Sequence, residues 1–274
     1  MKEGHRSMVR VYIFPKIIVL TFLVSYILKI SYWPYIILVL PLTTIAVLLY
    51  EVSYLWLKGK YYLYLRKKGH APSEKKVFEY VNKVIRTVNY VQRISVKTEF
   101  KEYFDPEKTY LITPNHQSNS DITILLEIFT TPVIFVSKSS MSKVPLVKDW
   151  MNLINSIFID RHDIRGQIRV MNKVLDKINQ NKSVVLFPEG TRSLTFKMNK
   201  FKSGSFKTAP KTHIDILPLT INNAYKIKNR FPFKSTDVTV YIHKPLTYEE
   251  YKDMSTQELA ATVQNIIETK IFPD

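Results

Sequence analysis

The 274-residue sequence contains no cysteine. That absence excludes disulfides, thiolate metal sites and any acyl-cysteine intermediate. Glycine is scarce, with six residues at positions 4, 59, 69, 166, 190 and 204. No Gly-rich phosphate loop of the nucleotide-binding kind can be built from them. The six histidines show no metal-ligand spacing, so no metal is assigned. No Gly-x-Ser-x-Gly nucleophile elbow occurs, which argues against a serine hydrolase. Acidic side chains are also few: 23 against 40 lysines and arginines, a net charge of +17. Such a surplus points to a polyanionic partner, whether nucleic acid, an anionic membrane surface or a phosphorylated substrate.

What is present begins with apolar runs. Residues 17–28 carry no charge, but twelve residues span only about 18 Å of a ~30 Å hydrocarbon core. Adding 11–16 lengthens the run, with Lys16 able to snorkel to the interface. After a Ser31-Tyr32-Trp33-Pro34 turn, residues 35–50 are apolar throughout and interrupted by Pro41. The pattern predicts a two-helix membrane hairpin over residues 1–60, with Tyr32, Trp33 and Tyr35 suited to the interface. No small-residue cleavage site follows, so an uncleaved anchor is expected rather than a signal peptide. Two buried core helices are the alternative, disfavoured by the density of uncharged residues. Lys2, Arg6 and Arg10 flank one side, and Lys58, Lys60, Arg66, Lys67 and Lys68 the other. The positive-inside rule then puts both ends on the cytoplasmic face, whether the hairpin crosses or dips.

From residue 61 the chain reads as a second, α/β domain reaching 274. Ser73 with Glu74 opens an amphipathic helix to about residue 91, and 94–100 alternates like a strand. Further strands are expected at 110–113, 132–136, 157–159, 183–187, 217–221 and 238–242. Helices are expected at 122–129, 164–178 and 256–269. Strands alternating with helices predict a mixed sheet flanked by helices.

Polar clusters sit at the strand ends. In Asn115-His116-Gln117-Ser118-Asn119-Ser120-Asp121, His116 and Asp121 are five apart, about 140° around a straight helix. They can meet only if the chain turns between them, and Ser118, Asn119 and Ser120 favour turns and N-caps. A base and its orienting carboxylate could result, or merely a capping histidine. Arg161 ends another apolar segment and could bind phosphate, or pair with Asp160 or Asp163. Residues 187–193, Phe-Pro-Glu-Gly-Thr-Arg-Ser, crowd donors at one strand end, where open α/β sheets place ligands. A plain turn with a salt bridge is the alternative. Lys202-Ser203-Gly204 lies in a basic run otherwise readable as a solvated face.

Taken together, these motifs resemble the glycerolipid acyltransferase family, and most nearly its 1-acylglycerol-3-phosphate acyltransferases. The resemblance spans residues 108–221. It rests on Asn115, His116 and Asp121; on Ile159, Asp160 and Arg161; on the whole of 187–193; and on Phe201 to Gly204 with Pro218. Lys138 and Pro145 fit the segment between the first two motifs. The departure is Asn119 and Ser120, where the family commonly has apolar residues. The resemblance implies that His116 is the general base and Asp121 its partner. It implies that Arg161, Glu189, Gly190, Thr191, Arg192 and Lys202 hold the acceptor's phosphate. Asn115, Lys138, Ser193 and Gly204 would support them, and Pro218 would lie on the acyl-donor side.

The resulting expectation is a membrane enzyme making phosphatidic acid from lysophosphatidic acid and an acyl thioester of coenzyme A or acyl carrier protein. No cofactor, metal or nucleic acid is expected; membrane lipids are. The rivals are another acceptor, such as glycerol-3-phosphate, and a non-enzymatic membrane-tethered binder of anionic lipid or nucleic acid.

Overall fold

The computed structural model describes residues 13–30, 33–160, 163–229 and 234–272. Lys2, Arg6, Arg10, Tyr32 and Arg161 therefore lie outside the described residues. Two apolar helices come first, α1 (Phe14–Ile27) and α2 (Trp33–Lys67). They pack on each other through a Thr21–Thr43 hydroxyl pair at 2.7 Å and a Lys16–Glu51 ion pair at 2.5 Å. Most other side chains on both helices, among them Phe22, Leu38, Leu42 and Leu49, are exposed.

Helix α2 neither breaks at Pro41 nor stops near residue 50. Its 35 residues extend about 52 Å. The second half continues because it has a surface to dock on, the helix α5 (Pro145–Leu153), which the sequence pattern did not reveal. Trp150 donates from Nε1 to the Leu55 carbonyl at 3.2 Å. Arg66 donates to the carbonyls of Asn152 and Leu153 at 2.8 and 2.6 Å. Gly59 permits this approach, since an added Cβ would lie 3.2 Å from the Trp150 indole nitrogen.

The remaining elements are α3 (Glu74–Val91), β1 (Ile94–Glu99), β2 (Tyr110–Pro114), α4 (Asp121–Ile128), β3 (Ile134–Lys138) and β4 (Ile157–Ile159). Then come α6 (Ile164–Asn179), β5 (Val184–Val185), α7 (Ala209–Thr212), β6 (Asp215–Asn222), α8 (Lys226–Asn229), β7 (Thr236–Ile242), α9 (Tyr248–Tyr251) and α10 (Thr256–Glu268). The seven strands form one sheet in the order β1-β7-β6-β2-β5-β3-β4. Every pairing is parallel except β6 with β7. The central strands read as unbroken apolar runs because both faces are covered: Leu111, Ile112, Val184, Val185, Ile216 and Leu217 are all fully buried.

One face packs α3, α4 and α5, with Tyr62 and Leu63 of α2 against them. The other packs α6, α7, α9 and α10. Two expected strands shift. The one expected at 132–136 runs Ile134–Lys138, and the one expected at 183–187 contracts to two residues. After Val185 only Leu186 still donates to Ile112, because Pro188 has no N–H to continue the ladder.

Candidate active site

The site forms where β2 and β5, neighbours at the sheet centre, both end. Beyond β2 the chain turns through residues 115–120, and Asp121 becomes the first residue of α4. Its carboxylate, fully buried, reaches back into the turn. Asp121 Oδ2 accepts from His116 Nδ1 at 2.7 Å and from the backbone N–H of Gln117 and Ser118 at 2.7 and 2.9 Å. An ionised carboxylate only accepts, so Nδ1 carries the imidazole proton and Nε2 is left as the basic nitrogen. Ser120 occupies the N-cap position without a side-chain cap bond; instead it donates its N–H to Ser118 Oγ at 3.2 Å.

The residues on either side of His116 fix the turn to β6. Asn115 accepts from the Ile221 N–H at 2.7 Å and donates to the Ile221 carbonyl at 2.9 Å. Gln117 Oε1 accepts from Ala224 N–H at 3.0 Å. All of residues 115–118 are buried.

The segment after β5 closes on the same turn from the other side. Phe187 lays its ring on the His116 imidazole, with centroids 4.2 Å apart. Glu189, which the resemblance gives to the acceptor's phosphate, is turned into the loops. It is 1% exposed, with one carboxylate oxygen accepting from His116 N–H at 2.6 Å and the other from Asn199 N–H at 2.8 Å. So engaged, it braces the loops. Burial pushes its carboxyl up to about 7, against the pull of those two N–H bonds. Ser193 donates its N–H to the His116 carbonyl at 2.8 Å.

Gly190 has φ +70°, and a Cβ there would stand 2.8 Å from Lys202 Nζ. The glycine lets this lysine lie across the backbone. Lys202 and Arg192 are exposed cations beside the turn, and Arg192 Nη1 donates to Asn119 Oδ1. Asn119, one of the two departures from the family pattern, thus ties the first and third motifs together. Thr191 is exposed, and Gly204 lies within a short 3-10 turn at Ser203–Phe206. Lys138 is exposed at the end of β3. Pro218 is buried inside β6, in register with Thr113 of β2.

A cavity of about 540 Å³ opens beside these loops, between α6 and the segment 202–211; Phe187, Gly190 and Lys202 line it. Among the described residues no group of three or more acidic or histidine side chains is placed to hold a metal. Sequence reading missed Phe187 as the imidazole's partner, and Gln117, Asn119 and Asn199 as braces. Only Asn119 carried a signal, its departure from the family pattern.

The arrangement can accept a proton at Nε2 while exposed cations hold an anion nearby. Known proteins resemble this chain. The family model described as Acyltransferase matches residues 95–222. A 1-acyl-sn-glycerol-3-phosphate acyltransferase of Borreliella burgdorferi is 28% identical over 169 residues, 61% of this chain and 68% of its own. One from Chlamydomonas reinhardtii is 33% identical over 144 residues, 52% of this chain and only 43% of its own length. The crystal structure of PlsC, the 1-acyl-sn-glycerophosphate acyltransferase of Thermotoga maritima, superposes with a TM-score of 0.64 at 25% identity. That superposition covers 81% of this chain and 91% of the other.

Proposed function

The chain belongs to the acyltransferase family, and on that premise we propose that it acylates the free hydroxyl of lysophosphatidic acid to give phosphatidic acid. The observation that carries this reading is the buried His116–Asp121 pair at 2.7 Å, with exposed Arg192 bonded to Asn119 of the same turn. His116 Nε2 takes the acceptor's hydroxyl proton as that oxygen attacks the thioester carbonyl. Asp121 holds the tautomer and stabilises the imidazolium. The C–S bond breaks, the leaving sulfur takes the proton from His116, and an ester and a free thiol leave. Arg192 and Lys202, with Arg161, bind the acceptor's phosphate; Gly190 gives Lys202 its path.

The hairpin α1–α2 attaches the enzyme to the membrane that holds acceptor and product. Helix α2 is long and apolar enough to cross a bilayer, with a mean hydropathy of 1.8 over its apolar window. Helix α1, at 14 residues, reaches only about 21 Å, which suits a hairpin dipping into the bilayer. The division proposed is a membrane hairpin over 1–60 and a catalytic domain over 61–274 on the cytoplasmic face, although α2 itself continues unbroken through that boundary.

The test is acyl transfer to lysophosphatidic acid by membranes carrying the full chain, wild type against His116→Ala. A loss of ~10²–10⁴ in kcat is expected; unchanged transfer would reject the mechanism.

A further inference from the structure

The cavity beside the site lies on a particular side of the sheet. Its walls include Val136, Leu186, Ile159 and Met171, all of the cluster packed by α6 and α10. The second half of α2, the continuation of the hairpin, docks on the opposite face, against α5. A substrate held in the membrane arrives on the hairpin's side. The cavity is open to a water-soluble one.

Its chemistry suits one such substrate. The inner wall is apolar, made by Met171, Leu186 and Phe187. Three lysines, Lys202, Lys207 and Lys211, line it from one segment, all exposed, and none forms an ion pair among the described residues. Unpaired ammonium groups beside an apolar channel match a flexible, mostly neutral arm that ends in a phosphate. Phe187 joins this cavity to the reaction centre, since it lines the cavity and its ring packs against the His116 imidazole.

We propose that this cavity receives the phosphopantetheine arm of the acyl donor, with Lys207 and Lys211 holding its phosphate and the thioester end arriving past Phe187 at His116. The inference rests on the acyl-transfer reading and names the donor chemistry for it. Coenzyme A and acyl carrier protein share this arm, so either could supply it. Lys207 and Lys211 are not among the residues given to the reaction centre or to the acceptor; Lys202, which is given to the acceptor, lines the same cavity at its Gly190 end.

The test is a Lys207→Ala, Lys211→Ala double variant of the full chain, with donor concentration varied at saturating lysophosphatidic acid. The donors are acyl-CoA, acyl carrier protein and an acyl thioester of N-acetylcysteamine, which lacks the phosphate. The expected result is a donor KM raised about tenfold for each phosphopantetheine donor turned over, the size of one lost charged contact. The acceptor KM and turnover of the truncated thioester should not change. Three results would each overturn the proposal: a rise confined to the acceptor KM, an equal loss with the truncated thioester, or a rise with the carrier protein while coenzyme A, also turned over, is unaffected. Calorimetry of CoA and of the holo-carrier protein binding to the same proteins decides the question without turnover. The double variant should bind them about tenfold more weakly, and equal binding refutes the site. If the wild type binds yet transfers no acyl group, the acyl-transfer reading fails instead.

Discussion

Two loops meet at this site, and they are built in opposite ways. The loop after β2 is buried from residue 115 to 118, and its hydrogen bonds run to two other parts of the chain. The loop after β5 exposes Thr191, Arg192, Leu194 and Thr195, and its cations have open sides. The first must hold one imidazole within hydrogen-bond reach of a hydroxyl, which requires rigid geometry. The second must attract a charged head group, which long, exposed cations do without a fixed pose. Glu189 belongs by sequence to the second loop and by contact to the first. It is the buried point at which the rigid loop is fastened to the adaptable one, beside the Ser193 N–H bond to the His116 carbonyl and the surface Arg192–Asn119 bond.

If that contrast is right, damage to the first loop acts on kcat and stability, and damage to the second on KM. The largest effect is expected from Asp121→Ala. It leaves the Nδ1–H of His116 and two backbone N–H groups without their acceptor in a buried turn. Each orphaned donor costs ~1–3 kcal/mol, and the misoriented base costs ~10²–10⁴ in kcat. Thermal unfolding and steady-state kinetics on one preparation measure both. A variant as stable as wild type would mean that the turn does not depend on Asp121.

Glu189→Gln comes next, and it tests the fastening. An amide oxygen can replace only one carboxylate acceptor, so either His116 N–H or Asn199 N–H loses its partner. About a tenfold fall in kcat at pH 8 is expected, equivalent to ~1.4 kcal/mol, with the acceptor KM unchanged. A rise in acceptor KM alone would return Glu189 to the phosphate site. The pH dependence separates these roles further. Since its folded pKa of about 7 is raised above the ordinary 4.5, Glu189 favours the folded state most below pH 4.5. That contribution is lost as pH rises through 7. In the wild type, protonation below about 7 also removes one acceptor from the loop, adding to the acid limb of kcat a component that the glutamine variant should lack.

How far these contrasts could be read from sequence follows from the range of the interactions. The His116–Asp121 pair was legible because two residues five apart can meet only if the three turn formers between them turn the chain, within a single local segment. The central strands were legible because Leu111, Ile112 and Ile216 to Leu217 are apolar without alternation. The bracing contact of Glu189 was hidden because its partner His116 is 73 residues away, and the contact depends on β2 and β5 being neighbours. Nothing in 187–193 reveals that adjacency. The length of α2 was hidden for the same reason: it depends on Trp150, 95 residues beyond Leu55. Asn119 is intermediate. Its polarity stood out, but its partner Arg192 is again set by strand order.

The smallest effect is expected from Arg192→Ala, and it bears most directly on the contrast. Arg192 is exposed, and its hydrogen bond to Asn119 lies at the surface. Surface pairs contribute ~0–1 kcal/mol, so the unfolding temperature should barely move. A charge-assisted contact to phosphate is worth more, ~1.5–3 kcal/mol. The acceptor KM should therefore rise about tenfold or more while kcat and the donor KM stay near wild type. Asn119→Ala provides the control, because it removes the same pair but leaves the guanidinium free to bind phosphate. If both variants raise KM alike, Arg192 acts through its tie to Asn119 and the second loop is positioned as strictly as the first. If only Arg192→Ala does, the cation acts by its own charge and the two loops are as different as their burial indicates.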